Sequence, residues 1–179
     1  VAITTGDPAG IGPEIARKAA AEPRVREACE PVIYAAVDPA GFTPGVIDAG
    51  AARAPYDTIV SADGDAQAAR VQAVATAPIN KLAFARAGLP WRGHTDLLAH
   101  LTGAPQVAML FWSEPLKVVL ATVHVPLAEV PRTLTRERLL GVITLTAAEL
   151  AVFGIARPRL AVAGLNPRLV VALRGRGIE

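Results

Sequence analysis

Two apolar runs in this chain break directly into turn residues and then into helical pattern. Residues 1–5 lead into Gly6-Asp7-Pro8-Ala9-Gly10-Ile11-Gly12-Pro13, and residues 71–76 lead into Ala77-Pro78-Ile79-Asn80-Lys81. A short buried strand that ends in such a junction and feeds a helix is the unit of an α/β fold. The junctions also matter chemically, because open α/β sheets carry their ligand sites beyond the strand ends.

The rest of the chain repeats this alternation. Strands are expected over residues 31–37, 58–61, 107–112, 116–125 and 160–163, and residues 38–57, rich in Gly, Pro and Asp, read as loops. A helix is expected over 13–21, with Pro13 in the first turn, where its missing N–H is harmless. Further helices are expected over 80–87, stopped at Gly88, over 96–101, stopped at Gly103, and over 136–153, with Thr135 as N-cap and Gly154 as stop. Only Ser113-Glu114-Pro115 separates 107–112 from 116–125, so these two strands should pair antiparallel. The class is therefore α/β with a mixed sheet. No internal repeat is present, and the pattern does not separate lobes within residues 1–167.

Composition narrows the functions. Apolar residues make up 52% and charged residues 19%, which allows a substantial core, and the 4% of aromatics suits helices packed on a sheet. The net charge is +2 from isolated Arg residues, with only Arg174 and Arg176 close together, so no nucleic-acid partner is expected. Cys29 stands alone, which excludes an intramolecular disulfide and a multi-Cys metal site and fits a reducing, cytoplasmic setting. No basic-then-apolar leader opens the chain, and no apolar run approaches the roughly 20 residues that span a bilayer, so no membrane partner is expected. A start at Val1 rather than Met is expected of a partial or trimmed chain.

Chemically capable side chains are scarce: three His, one Cys and two Ser. The Gly6–Pro13 loop is compatible with a plain tight turn or with a ligand loop, and lacks both the G-x-G-x-x-G spacing and the Walker Lys-Ser/Thr. Asp7 at its tip is placed for a ribose, an amine or a metal. Lys81 follows a strand end and could neutralise a phosphate or carboxylate, or exchange a proton if burial lowered its pKa; the alternative is a solvated helix Lys. Gly93-His94-Thr95-Asp96 opens a helix. The alternative is that Thr95 or Asp96 simply caps this helix, a role that does not need His94. His124, in Val123-His124-Val125-Pro126, is either a core imidazole or a metal donor at a strand mouth. His100 reads as structural. Neither Ser lies in Gly-x-Ser-x-Gly, and Cys29 has no nearby His in sequence, so hydrolase chemistry is disfavoured.

Taken jointly, Thr4-Thr-Gly-Asp-Pro-Ala-Gly-Ile-Gly-Pro-Glu14, Thr76-Ala-Pro-Ile-Asn-Lys81, Gly93-His-Thr-Asp96, Leu120-Ala-Thr-Val-His-Val-Pro-Leu127 and Gly164-Leu-Asn-Pro167 resemble the 4-hydroxythreonine-4-phosphate dehydrogenase family of vitamin B6 synthesis. The resemblance covers residues 1–167 and leaves 168–179 as a divergent tail. It implies a two-lobed fold like isocitrate and isopropylmalate dehydrogenases, incomplete here, and a homodimer when complete. It also implies NAD or NADP, and a divalent metal such as Zn, Mg, Mn or Co. The implied reaction oxidises 4-hydroxythreonine 4-phosphate at its secondary alcohol, with decarboxylation, on the way to pyridoxal phosphate. His94 and Thr95 would contact substrate, His124 would be one of three metal His, and Lys81 would line the same cleft as a catalytic group. Three departures stand against full activity. Arg168 replaces a metal His, the family's last third has no counterpart, and residues 55–74 look too short for the helix that precedes the Thr76-Ala-Pro-Ile-Asn-Lys81 motif. A truncated remnant that binds a phosphorylated small molecule or a partner chain without turnover is the alternative.

Overall fold

The computed structural model describes residues 1–165. The chain divides into two compact units, Val1–Ala104 and a second that begins at Pro105.

The first unit is built on a parallel sheet of β1 (Ala2–Thr4), β2 (Val32–Tyr34) and β3 (Val74–Thr76), in the order β2-β1-β3. Ile3 pairs with Ile33 on one side and Ala75 on the other. Central β1 is buried throughout, as its apolar composition requires. After the glycine loop comes α1 (Gly12–Ala21), which buries Gly12, Pro13, Ala16 and Ala20 on one face; Ala16 and Ala20 pack with Ile3. The short α2 (Pro23–Ala28) follows, an element the sequence reading did not separate.

The largest difference from the sequence reading lies over residues 38–61. In place of loops and a short strand stands α3 (Ala49–Gln67), a helix of 19 residues with Pro55 inside it. The Asp48 carboxylate caps it by accepting the Gly50 N–H at 2.6 Å. Ala51, Ala52, Ala54, Pro55, Thr58, Ile59 and Ala62 recur at helical spacing and are all buried. That buried stripe outweighs the Gly and Pro propensities that suggested loops. The segment before β3 is therefore long enough for a helix, contrary to the expectation from residues 55–74.

Asn80 then caps α4 (Lys81–Arg86), its Oδ1 accepting the Ala83 N–H at 3.0 Å. The helix expected over 96–101 is α5 (His94–Thr102), which begins two residues earlier, so His94 and Thr95 lie in its first turn. Ala52 and Ile59 of α3, Ala83 and Phe84 of α4, and Leu97 of α5 form the main core cluster. Phe84, Ile59 and Leu97 are fully buried there.

The second unit holds the antiparallel pair β4 (Met109–Trp112) and β5 (Lys117–Leu120), in the expected register of neighbours. Among the described residues, the parallel and antiparallel pairings of the expected mixed sheet thus occur in two separate sheets. β5 ends at Leu120, five residues short of the expected strand end. A 3-10 turn (Leu127–Glu129) and α6 (Val130–Thr133) lead to α7 (Arg136–Glu149). Thr135 caps α7 as expected, its Oγ1 accepting the Arg138 N–H at 3.2 Å, and the last turn becomes 3-10 before Gly154. Residues 160–163 are not a strand: they pair with no neighbour among the described residues and are mostly exposed. No described helix is long and apolar enough to cross a membrane.

This core makes two opposite expectations. Phe84→Ala should lower unfolding stability by about 3–5 kcal/mol, because it empties the centre of the main cluster. Gly64→Ala, in α3 with open space around its Cα, should raise it by about 0.5–1 kcal/mol. Denaturant unfolding of both variants checks the packing.

Candidate active site

β1 and β3 are adjacent and parallel, so the loops that follow them leave the same edge of the sheet. The two loops lock together. The Ala77 N–H donates to the Thr4 carbonyl at 3.1 Å, and the Asp7 N–H donates to the Pro78 carbonyl at 2.9 Å. Gly6 has φ +67, and a Cβ on it would run into the Pro78 carbonyl; a Cβ on Gly12 would run into the Thr5 carbonyl. Both glycines are therefore required by backbone contact. One oxygen of the Asp7 carboxylate, Oδ1, accepts the Ala9 N–H at 2.9 Å and holds the turn.

From this platform Lys81 and the start of α5 come together. A methyl group on Gly93 would touch Lys81 Cε at 3.6 Å, so the lysine stem runs beside the residue that precedes His94. Lys81 is exposed and, among the described residues, makes no ion pair. His94 is half-buried, and its Nε2 is buried without a hydrogen-bond partner. Burial holds the His94 imidazole below its ordinary pKa; the Ala77 backbone opposes this by hydrogen bonding, and the Lys81 charge adds to the depression. Thr95 is exposed.

Neither Thr95 nor Asp96 is the N-cap. Gly93 holds that position without a side-chain bond. Asp96 instead reaches back to Arg92, accepting its backbone N–H at 3.3 Å and its Nε at 2.9 Å. The Arg92 hydrogen bond is the main reason the Asp96 carboxyl sits below its usual range. The N–H groups of the first α5 turn therefore lack a side-chain cap, and a helix start in that state favours an anionic group.

His124 lies in the second unit. It is exposed, beyond the end of β5, and its φ of +54 is left-handed, which is uncommon for a residue with a Cβ. Among the described residues, no group of three or more His, Cys, Asp or Glu is arranged to hold a metal ion. The described donor set therefore does not by itself fit the divalent metal that the resemblance implies. Arg168 and the tail over 168–179 lie outside the described residues.

The sequence reading missed the aromatic column beside this site. Trp91 stacks on Tyr56 with centroids 5.3 Å apart, and His100 lies 5.5 Å from Trp91 on a tilted plane. A Trp in the turn immediately before Gly93-His94 was the available signal.

Residues 11–169 match the family described as pyridoxal phosphate biosynthetic protein PdxA. The chain belongs to this family. It is 36% identical to the 4-hydroxythreonine-4-phosphate dehydrogenase of Desulforapulum autotrophicum, over 93% of this chain and 61% of that protein. It is 34% identical to the D-threonate 4-phosphate dehydrogenase of Pectobacterium atrosepticum, over 93% of this chain and 64% of that protein. The chain thus spans about three fifths of the length of these relatives. The alignment with the first runs over 208 positions, more than the 179 residues of this chain, so that relative carries segments inside the matched region that are lacking here. A solved 4-hydroxythreonine-4-phosphate dehydrogenase from Klebsiella pneumoniae superposes with a TM-score of 0.82 at 32% identity, covering 99% of this chain and 71% of that one. The fold is accordingly the α/β, isocitrate dehydrogenase-like fold of the PdxA family.

Because the folded pKa of His94 is depressed, the unfolded chain takes up this proton first. The stability contributed by neutral His94 is fully present above the ordinary imidazole value and declines as pH falls through it toward the folded value. Lys81→Met should raise the His94 pKa toward its ordinary value, because a nearby cation is removed. Imidazole titration by NMR reads this directly, and an unchanged or lower value would mean that Lys81 does not face His94.

Proposed function

We propose that this chain supplies the substrate-holding part of an NAD- or NADP-dependent dehydrogenase of pyridoxal phosphate synthesis, acting on 4-hydroxythreonine 4-phosphate with oxidation and decarboxylation. The observation that carries this reading is the meeting of the Lys81 stem, the half-buried His94 and an α5 start without a side-chain cap, in a chain of the PdxA family. Substrates named for the relatives, 4-hydroxythreonine 4-phosphate and D-threonate 4-phosphate, share a carboxylate, a secondary alcohol and a terminal phosphate. They differ at C2, amine against hydroxyl. A cation, a neutral imidazole and free helix N–H groups suit the shared anionic ends.

His94 and Thr95 are proposed to contact the substrate. Its depressed pKa keeps His94 neutral near pH 7, able to donate from one nitrogen and accept at the other. Lys81 is proposed as the catalytic-site cation that neutralises the substrate's carboxylate or phosphate, or exchanges the proton of its alcohol. A bound nicotinamide would supply the hydride acceptor for the alcohol carbon that these residues hold. His124 is proposed as a donor to the divalent metal. Support for His124 comes from its backbone: a left-handed non-glycine residue is strained by about 1–2 kcal/mol, and such strain collects at functional positions. Homodimerisation and a cytoplasmic setting belong to the same proposal.

A second reading, binding without turnover, is favoured by Arg168, a permanent cation at the position where the resemblance places a metal His. One experiment separates the readings. The chain is mixed with NAD or NADP, a divalent metal and each phosphorylated acid, and both reduced nicotinamide and ligand binding are followed. Nicotinamide reduction that falls at least about a hundredfold in His94→Ala supports the dehydrogenase. Binding that needs Lys81 and His94 but gives no reduction supports the second reading, and absence of both contradicts the two together. Lys81→Arg distinguishes charge from proton exchange, since Arg keeps the first and cannot perform the second.

The strain at His124 makes its own expectation. His124→Gly should raise unfolding stability by about 1 kcal/mol while weakening metal-dependent activity, the sign of a residue kept for function. Calorimetry beside the activity assay checks it. A loss of stability in His124→Gly would show that the imidazole is held for packing.

A further inference from the structure

We propose that Trp91 is a positioning residue for His94 and Thr95, its indole held between Tyr56 and His100 so that the turn before α5 is fixed against α3. This rests on the reading of His94 and Thr95 as substrate contacts, and it names what keeps them in place.

The turn over residues 88–93 has few other ties. Leu89 donates its N–H to the Phe84 carbonyl at 3.0 Å, and Arg92 reaches forward to Asp96, which belongs to the same local segment. Neither bond connects the turn to α3. That connection is made by side-chain packing, in which Leu89 and Trp91 both lie against the main core cluster. Trp91 is the larger of the two and stands three residues before His94.

Its geometry is constrained on two elements. The Tyr56 ring of α3 stacks at 5.3 Å and 20°, and the His100 ring of α5 lies at 5.5 Å and 44°. The Arg53 guanidinium lies 5.0 Å from the Tyr56 centroid, so the α3 end of the column carries a cation over its ring. A flat indole between two rings resists both sliding and rotation, because offset stacking has a preferred separation and orientation. His94, which follows this turn, hydrogen-bonds the Ala77 backbone and has its Nε2 buried. A branched aliphatic at position 91 would fill volume without holding orientation. The start of α5 would then move outward, and small displacements of a contacting group are enough to reduce binding and rate strongly.

The test uses the whole chain and the variants Trp91→Leu, Trp91→Phe and Leu101→Ala. Leu101 packs on the same core cluster but at the far end of α5, so it reports general loosening. His94 titration by NMR and affinity for 4-hydroxythreonine 4-phosphate are both measured. In Trp91→Leu the His94 pKa should move toward its ordinary value, and binding should weaken about tenfold. Trp91→Phe should restore most of both, and Leu101→Ala should leave the His94 titration where it was. If Trp91→Leu does not fold, Tyr56→Leu removes the neighbouring ring and should give the same shift. The proposal is overturned if the leucine variant leaves the His94 titration unchanged, or if Leu101→Ala moves it equally. Should the unaltered chain bind neither phosphorylated acid while Trp91→Leu still shifts His94, the positioning link stands and only the substrate reading fails.

Discussion

The contact on which the candidate site depends is the backbone-to-backbone lock between the glycine loop and the Ala77-Pro78 turn. Thr4 and Pro78 carbonyls accept from Ala77 and Asp7, and Gly6 and Gly12 leave no room for a side chain between the layers. Parallel pairing of β1 with β3 brings the two loops to one edge, and the absence of Cβ atoms lets them close. Everything downstream takes its position from this lock. Asn80 starts α4 immediately after it, Phe84 of α4 anchors the core, and the turn after α4 brings α5 back so that His94 rests beside Ala77.

Polar groups at the site are few and incompletely satisfied, which is where the sequence and the energetics meet. A buried imidazole nitrogen without a partner and a histidine in a left-handed conformation both lower stability in the isolated chain. Ala69 shares the left-handed backbone and Thr4 Oγ1 is likewise buried without a partner, whereas Asp48, Asn80 and Thr135 cap their helices and surface carboxylates pair with cations one helical turn away.

Much of this was legible in the amino-acid pattern. The βα junctions, the hairpin partners over 107–125 and the Thr135 cap all follow from turn residues and periodicity, which act locally. Membership of the PdxA family followed from five motifs whose residues are mostly at strand ends and helix starts. What failed was decided by tertiary burial. Pro55 and the surrounding Gly and Asp argue for loop, yet the alanine-rich face of α3 is buried against the sheet and against α4, and packing sets the outcome. Residues 160–163 look like a strand, but a strand needs a partner, which no local pattern encodes. Sequence alone also does not show that Asp7 Oδ1 braces its own turn through the Ala9 N–H. The Tyr56–Trp91–His100 column joins three segments far apart in the chain, and only the fold brings them together.

The proposed site combines the loop lock, Lys81 and the start of α5 to accept the anionic ends of a phosphorylated four-carbon acid. Backbone amide chemical-shift mapping with 4-hydroxythreonine 4-phosphate tests it most directly. The account predicts saturable shifts confined to three stretches of the first unit: the glycine loop, residues 77–81 and residues 93–96. Shifts that cluster elsewhere, or an absence of saturable shifts at concentrations that occupy the relatives, would contradict it.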